Sequence, residues 1–277
     1  MSWRELVSAD GRLAATLAGE AEAKHGAPLL VCVHGGGCSA RYFDLKGFSV
    51  LERALARGLP VLLVNRPGHG GSPPARTAQP IEEAAALVPP LIDEVAGGRA
   101  AVVIGHSIGG AVTLLLAAQQ GAVGPVRAVA VSGIGDRIAQ PFKAAWADLL
   151  TGKGAEPTTA FFFGPEGTYR WNAPAALRKA SESWQLDEAQ DVVLGWPKRF
   201  AGVAARVRLP VHLRLAEHER IWETGPQAVA RMAAAMPTAP AVDAGVLPQG
   251  GHLYELHKRG GEHVEAQLDF LLRENRR

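Results

Sequence analysis

Apolar residues along this chain fall into two alternating patterns. Short, mainly apolar stretches occur at 29–33, 59–64, 100–104, 126–131 and 211–215. Each predicts a strand, and the continuous run at 29–33 predicts one buried on both faces, as in a parallel sheet covered by helices. Helices are expected at the Ala/Leu-rich 108–120, at 226–235 and 262–273, and at 48–57 and 81–95, where apolar residues recur every three or four positions. That spacing gathers them on one face of a helix. Pro89-Pro90 falls inside the stretch at 81–95 and predicts a kink or a split there. Stretches 3–7 and 12–17 flank Asp10-Gly11, a hairpin-turn pair, and predict an opening β-hairpin. A further short strand is expected at 241–244.

Strand and helix therefore alternate from 29 to 131, the signature of right-handed βαβ crossovers. From about 136 to 205 the rhythm breaks. This stretch is rich in aromatics, among them Phe142, Trp146, Phe161-Phe162-Phe163, Trp184 and Trp196, with short helical pieces such as 174–183. One α/β core, 1–135 and 206–277, with a helical cap inserted at 136–205, fits this order better than two domains in tandem.

Composition adds exclusions. Of 277 residues, 47% are hydrophobic and 20% charged, enough to build a large core. A net charge of +2 excludes a strongly basic nucleic-acid binder and an acidic solvating protein. Cys32 and Cys38 are too few for a disulfide scaffold and match no metal knuckle. No apolar run is long enough for a membrane span, and the N-terminus lacks a signal-peptide pattern, so a cytoplasmic protein is expected. The 32 glycines and 19 prolines exceed ordinary usage. They serve either common turns or special backbone positions.

Gly105-His106-Ser107-Ile108-Gly109 decides between these uses. It lies between a strand and a helix and matches G-x-S-x-G in the context that motif needs. Ser107 must occupy a sharp turn for its Oγ to project, and side chains at 105 and 109 would collide. The Ile108 N–H, at the start of the helix, can face a developing oxyanion. His34-Gly35-Gly36-Gly37 ends the strand at 29–33. Bare backbone there can supply a second oxyanion N–H, assigned to Gly36 with Gly35 as competitor. His34 is read as a brace for the loop. Gly250-Gly251-His252 offers a general base on a flexible loop, with His257 as its rival. The orienting acid should follow the strand at 211–215. Glu219 is the first choice, ahead of Glu217 and of Asp136.

With these motifs in family order, the chain resembles the α/β-hydrolase superfamily, in its group of serine esterases, lipases, thioesterases and lactonases. The turn Asn65-Arg66-Pro67-Gly68-His69-Gly70-Gly71-Ser72 also carries the resemblance, which spans roughly 28–275. It implies an eight-stranded, mostly parallel sheet flanked by helices and no cofactor. Two residues depart from the family pattern. Asn65 stands where Asp is usual before the Pro-Gly turn, and Glu219 stands where the acid is usually Asp.

A serine at the elbow favours an acyl-enzyme and argues against the aspartate-based epoxide hydrolases and dehalogenases of this fold. The expected activity is cleavage of a carboxylic ester, lactone or thioester, on a substrate with an apolar acyl group or ring under the aromatic segment. Acyl transfer to another acceptor or cofactor-free perhydrolysis would use the same residues. The reading from a different class is a non-catalytic small-molecule binder on the same fold. No dinucleotide, P-loop or H-E-x-x-H pattern is present, and no metal site is expected. The oligomeric state stays open.

Overall fold

In the computed structural model, residues 2–150 and 159–277 are described, apart from the side chains of 147–160. The part of the expected cap at 151–158 lies outside them. Eight strands form a single sheet: β1 (Trp3–Val7), β2 (Ala14–Ala18), β3 (Leu29–Val33), β4 (Val61–Val64), β5 (Ala101–His106), β6 (Val126–Ser132), β7 (Val211–Ala216) and β8 (Val242–Leu247). Their order is β1-β2-β4-β3-β5-β6-β7-β8. The opening hairpin is antiparallel and joins β4 antiparallel, while every later pairing is parallel.

β3 shows why such a run is apolar at every position. Side chains alternate across a strand, so neighbouring residues enter opposite layers. Leu29, Val31 and Val33 pack with Ile81, Ala84 and Val88 of α2 (Pro80–Ala96) and with Ala111 and Leu115 of α3 (Ile108–Gln120). Leu30 and Cys32 face the other way, against Leu51 of α1 (Val50–Ala56) and Val264 and Leu268 of the closing helix Gly260–Asn275.

Prolines 89 and 90 do not break α2, which is continuous from Pro80 to Ala96. Each proline deprives only the carbonyl four residues earlier of its partner. On the Ala86–Pro90 side the helix is exposed to water. Its inner face, Ile81, Ala84, Ala85, Val88, Leu91 and Ile92, is fully buried and holds the axis in place.

The strand order positions the functional loops. β4 lies on one side of β3 and β5 on the other, so the chain switches direction at β3. At such a switch point the loops leaving the carboxyl ends part and open a crevice. Here those loops are His34–Gly37 and the Ser107 elbow.

Between β6 and β7 come α4 (Gln140–Leu150), α5 (Thr159–Phe163), α6 (Ala173–Leu177), α7 (Leu186–Gln190), a π turn at Asp191–Gly195 and α8 (Trp196–Ala204). The helix expected over 174–183 is shorter because residues 180–182 pair with backbone elsewhere. Ser39 N–H donates to the Ala180 carbonyl at 2.9 Å, and Glu182 N–H donates to the Gly37 carbonyl at 2.8 Å. The chain then continues through α9 (Pro226–Ala234), β8 and α10 (Gly260–Asn275). Among the described residues no helix is long and apolar enough to cross a membrane.

Candidate active site

Ser107 joins β5 to α3 with φ 54° and ψ −121°. A side-chain-bearing residue held there costs about 1–3 kcal/mol. The surroundings enforce it. A Cβ on Gly109 would lie 1.9 Å from the Val33 carbonyl oxygen, and one on Gly105 would lie 2.4 Å from that of Gly109. The expected collision on both sides of the serine is real, and its partner is main chain, which cannot move aside.

Ser107 Oγ lies 2.9 Å from His252 Nε2, and His252 Nδ1 lies 2.8 Å from Glu219 Oε2. The other Glu219 oxygen accepts from the N–H groups of Arg220 at 3.1 Å and Ile221 at 3.0 Å. A carboxylate only accepts, so Nδ1 carries the imidazole proton and Nε2 is left to accept from the serine hydroxyl. The rival residues are engaged elsewhere. A Glu217 oxygen accepts from Gln249 N–H at 2.7 Å. Asp136 accepts from Arg231 Nε and Nη2, at 2.6 and 2.9 Å. His257 Nε2 accepts from Gly251 N–H at 3.2 Å.

Gly35 lies against the elbow, where a Cβ on it would come within 3.0 Å of Ser107 Cβ. Gly36 packs between Ile108 and Trp184, whose ring atoms leave no room for a side chain. Among the described residues, neither the Gly36 nor the Ile108 N–H is taken by a hydrogen bond. His34 is buried and braces the loop. Its Nδ1–H donates to the Gly35 carbonyl at 2.8 Å, and its Nε2 accepts from Arg66 N–H at 3.1 Å. Burial, and then the adjacent Arg66 guanidinium, hold its pKa well below the ordinary histidine value. The Asn65 departure is also structurally complete. Its Oδ1 accepts from Ala40 N–H at 2.8 Å and its Nδ2 donates to the Gly70 carbonyl at 3.1 Å, a donor that Asp would lack.

Two cavities meet at Ser107. One, of ≈ 190 Å³, is lined by apolar side chains including Phe142, Trp146, Val193 and Trp222. The other, of ≈ 300 Å³, is lined by His252, Tyr42, Ser181 and Glu182 among others. Phe162 and Trp184 line both and stack at 6.3 Å with their planes 22° apart.

Sequence reading missed the polar cluster beneath the elbow. Buried Glu255 accepts from Tyr42 Oη at 2.8 Å and Ser132 Oγ at 2.7 Å, and lies 3.4 Å from His106 Nδ1. No local motif marks these residues, which come from four separate segments. Cys38 beside the glycine loop is buried, and burial pushes its thiol up to about 12, so it fills space rather than reacts.

A family model described as "Alpha/beta hydrolase family" matches residues 30–262. The chain belongs to the alpha/beta hydrolase family. Solved structures with the same fold span nearly its whole length. A thermostable carboxyl esterase from Bacillus coagulans superposes with TM-score 0.75 at 15% identity, covering 99% of each chain. An enol-lactonase from Burkholderia xenovorans gives 0.72 at 19%, covering 97% of this hydrolase-family chain and 100% of its own. A carboxylesterase from Bacillus subtilis gives 0.72 at 20%, covering 98% and 92% respectively. No relative matches among curated protein sequences.

Proposed function

We propose that this protein is a serine hydrolase that cleaves a carboxylic ester, lactone or thioester bond through an acyl-enzyme on Ser107. The observation that carries the reading is the hydrogen-bonded chain Ser107–His252–Glu219, with steps of 2.9 and 2.8 Å, opening on an apolar cavity. In this reading Ser107 Oγ attacks the substrate carbonyl carbon and its proton passes to His252 Nε2. Glu219 stabilises the imidazolium across Nδ1–H. The free N–H groups of Gly36 and Ile108 receive the negative oxygen. His252 then protonates the leaving group, and water, activated by the same base, releases the acid and restores Ser107.

The leaving atom must lie within reach of His252 Nε2. The cavity lined by His252 therefore takes the leaving group, and the one lined by Phe142, Trp146 and Trp222 takes the acyl group or ring. We assign residues 136–205 as the cap, since they supply most of that apolar lining. The lactonase and carboxylesterases of the same fold act on this bond class by their names, which supports the reading at the level of reaction type.

A fluorophosphonate probe tests it. The expected result is one adduct, on the peptide containing Ser107, absent in Ser107→Ala. A folded protein that takes no label, or takes it elsewhere, overturns the reading.

A further inference from the structure

Arg66 is buried, at 1% exposure, beneath the glycine loop. Its Nε donates to the His34 carbonyl at 2.8 Å and its Nη2 to the Gly35 carbonyl at 2.8 Å. The remaining arm, Nη1, pairs with Glu188 Oε1 on α7, a carboxylate that is itself buried. One rigid guanidinium thus joins two consecutive loop carbonyls to the cap. The cap holds the same loop through backbone too, by the bonds from Ser39 N–H to Ala180 and from Glu182 N–H to Gly37.

A peptide group is planar, and among the described residues no peptide bond is cis. In a trans peptide the carbonyl and the next N–H point in opposite directions. Arg66 and His34 both grip the Gly35 carbonyl from one side, so the Gly36 N–H of that peptide faces the other. Glycine backbone has wide freedom, and without the grip this peptide could rotate. Arg66 in turn has its direction set by Glu188, since two of its arms are committed to the loop and the third to the cap.

We propose that Arg66 is a positioning residue that aims the Gly36 N–H at the reacting carbonyl, and that the cap sets it through Glu188. The proposal rests on the ester-cleaving reading and deepens it: the oxyanion donor is competent only with the cap seated. A donor that serves the transition state should appear in kcat and leave KM alone. Full loss of one such donor costs about 10²–10³ in rate, so a misaimed one should cost about 10–100-fold.

The test compares Arg66→Met, Glu188→Gln and the double variant Arg66→Met/Glu188→Leu on p-nitrophenyl butyrate, with thermal midpoints for each. Each single change strands a buried partner and lowers the midpoint. The double change removes both charges and should recover stability above that of either single variant. If the pair positions the loop, kcat in the double variant stays down by about 10–100-fold with KM within about threefold. Recovery of kcat together with stability overturns the proposal, as does a loss confined to KM. The Gly36 amide resonance in a two-dimensional ¹H–¹⁵N spectrum gives a readout that needs no substrate. It should shift in Glu188→Gln, and an unmoved resonance also overturns the proposal. A wild-type protein inactive on every ester would sink the reaction class instead, leaving the amide shift to decide the role of Arg66.

Discussion

Glu219 shows how one side chain assigns a proton. Its two oxygens are both spoken for, one by backbone N–H groups and one by His252 Nδ1–H. Glu219→Gln keeps the shape but offers an amide, whose NH2 would meet Nδ1–H or force the imidazole into the other tautomer. In that tautomer Nε2 cannot accept the serine proton. A fall in kcat of about 10³–10⁴ is expected, with KM little changed. Glu217→Gln and Asp136→Asn should stay within a few-fold, because their carboxylates serve Gln249 and Arg231. Steady-state kinetics on one ester series checks all three, and a large loss in Asp136→Asn would move the acid to the end of β6. Ser107 and His252 were legible from sequence because their glycine neighbours announce a backbone constraint. Glu219 was one of three readable carboxylates, since Glu217 shares its strand end and Asp136 follows another strand of the same edge, and only the turn after β7 decides which meets the imidazole. The Arg66–Glu188 contact was not legible. Its partners lie on different elements, and neither has a local pattern that names the other.

At the scale of elements, the strands and helices were legible from apolar patterning: β3 and β4 are the unbroken apolar runs a doubly covered sheet favours, while β6 and β7 carry Arg127, His212 and Arg214 among theirs. The helical pieces between β6 and β7 were less legible. Short helices over a cavity are shaped by what they cover, as residues 180–182 show by pairing with the glycine loop. The π turn at Asp191–Gly195 is such a case: it places Val192 and Val193 at the apolar cavity. Val193→Trp should fill part of the ≈ 190 Å³ there. The expected outcome is a loss of about 10-fold or more in kcat/KM on p-nitrophenyl octanoate relative to acetate. Equal losses on both esters would place the acyl group in the other cavity.

Across the whole molecule, acid stability is set by buried imidazoles. Burial holds His212 down at about 3 and His257 at about 4, and keeps His34 well below the ordinary value. Unfolded, each titrates near ~6.5. Between those values the unfolded chain binds more protons than the native one, so stability is complete above ~6.5 and declines as pH falls through this window. The urea midpoint should therefore drop between about pH 7 and about pH 5, above the range where carboxylates titrate. His212 is buried with no hydrogen-bond partner on either ring nitrogen among the described residues. His212→Leu should flatten the profile, and a wild-type midpoint that does not change over this range would refute the account.

The Arg66–Glu188 contact also bears on how such folds diversify. The helical segment between β6 and β7 looks freely exchangeable, since the sheet keeps its register whatever that connection contains. Here it is not, because Arg66, just after β4, is a buried cation whose counter-ion, Glu188, belongs to that segment. A graft that lacks a carboxylate at the place of Glu188 would leave that charge uncompensated, a cost of about 3–5 kcal/mol and a large share of a typical domain's stability. Recombination between relatives at the ends of this segment should therefore succeed only when the residue at 66 travels with it.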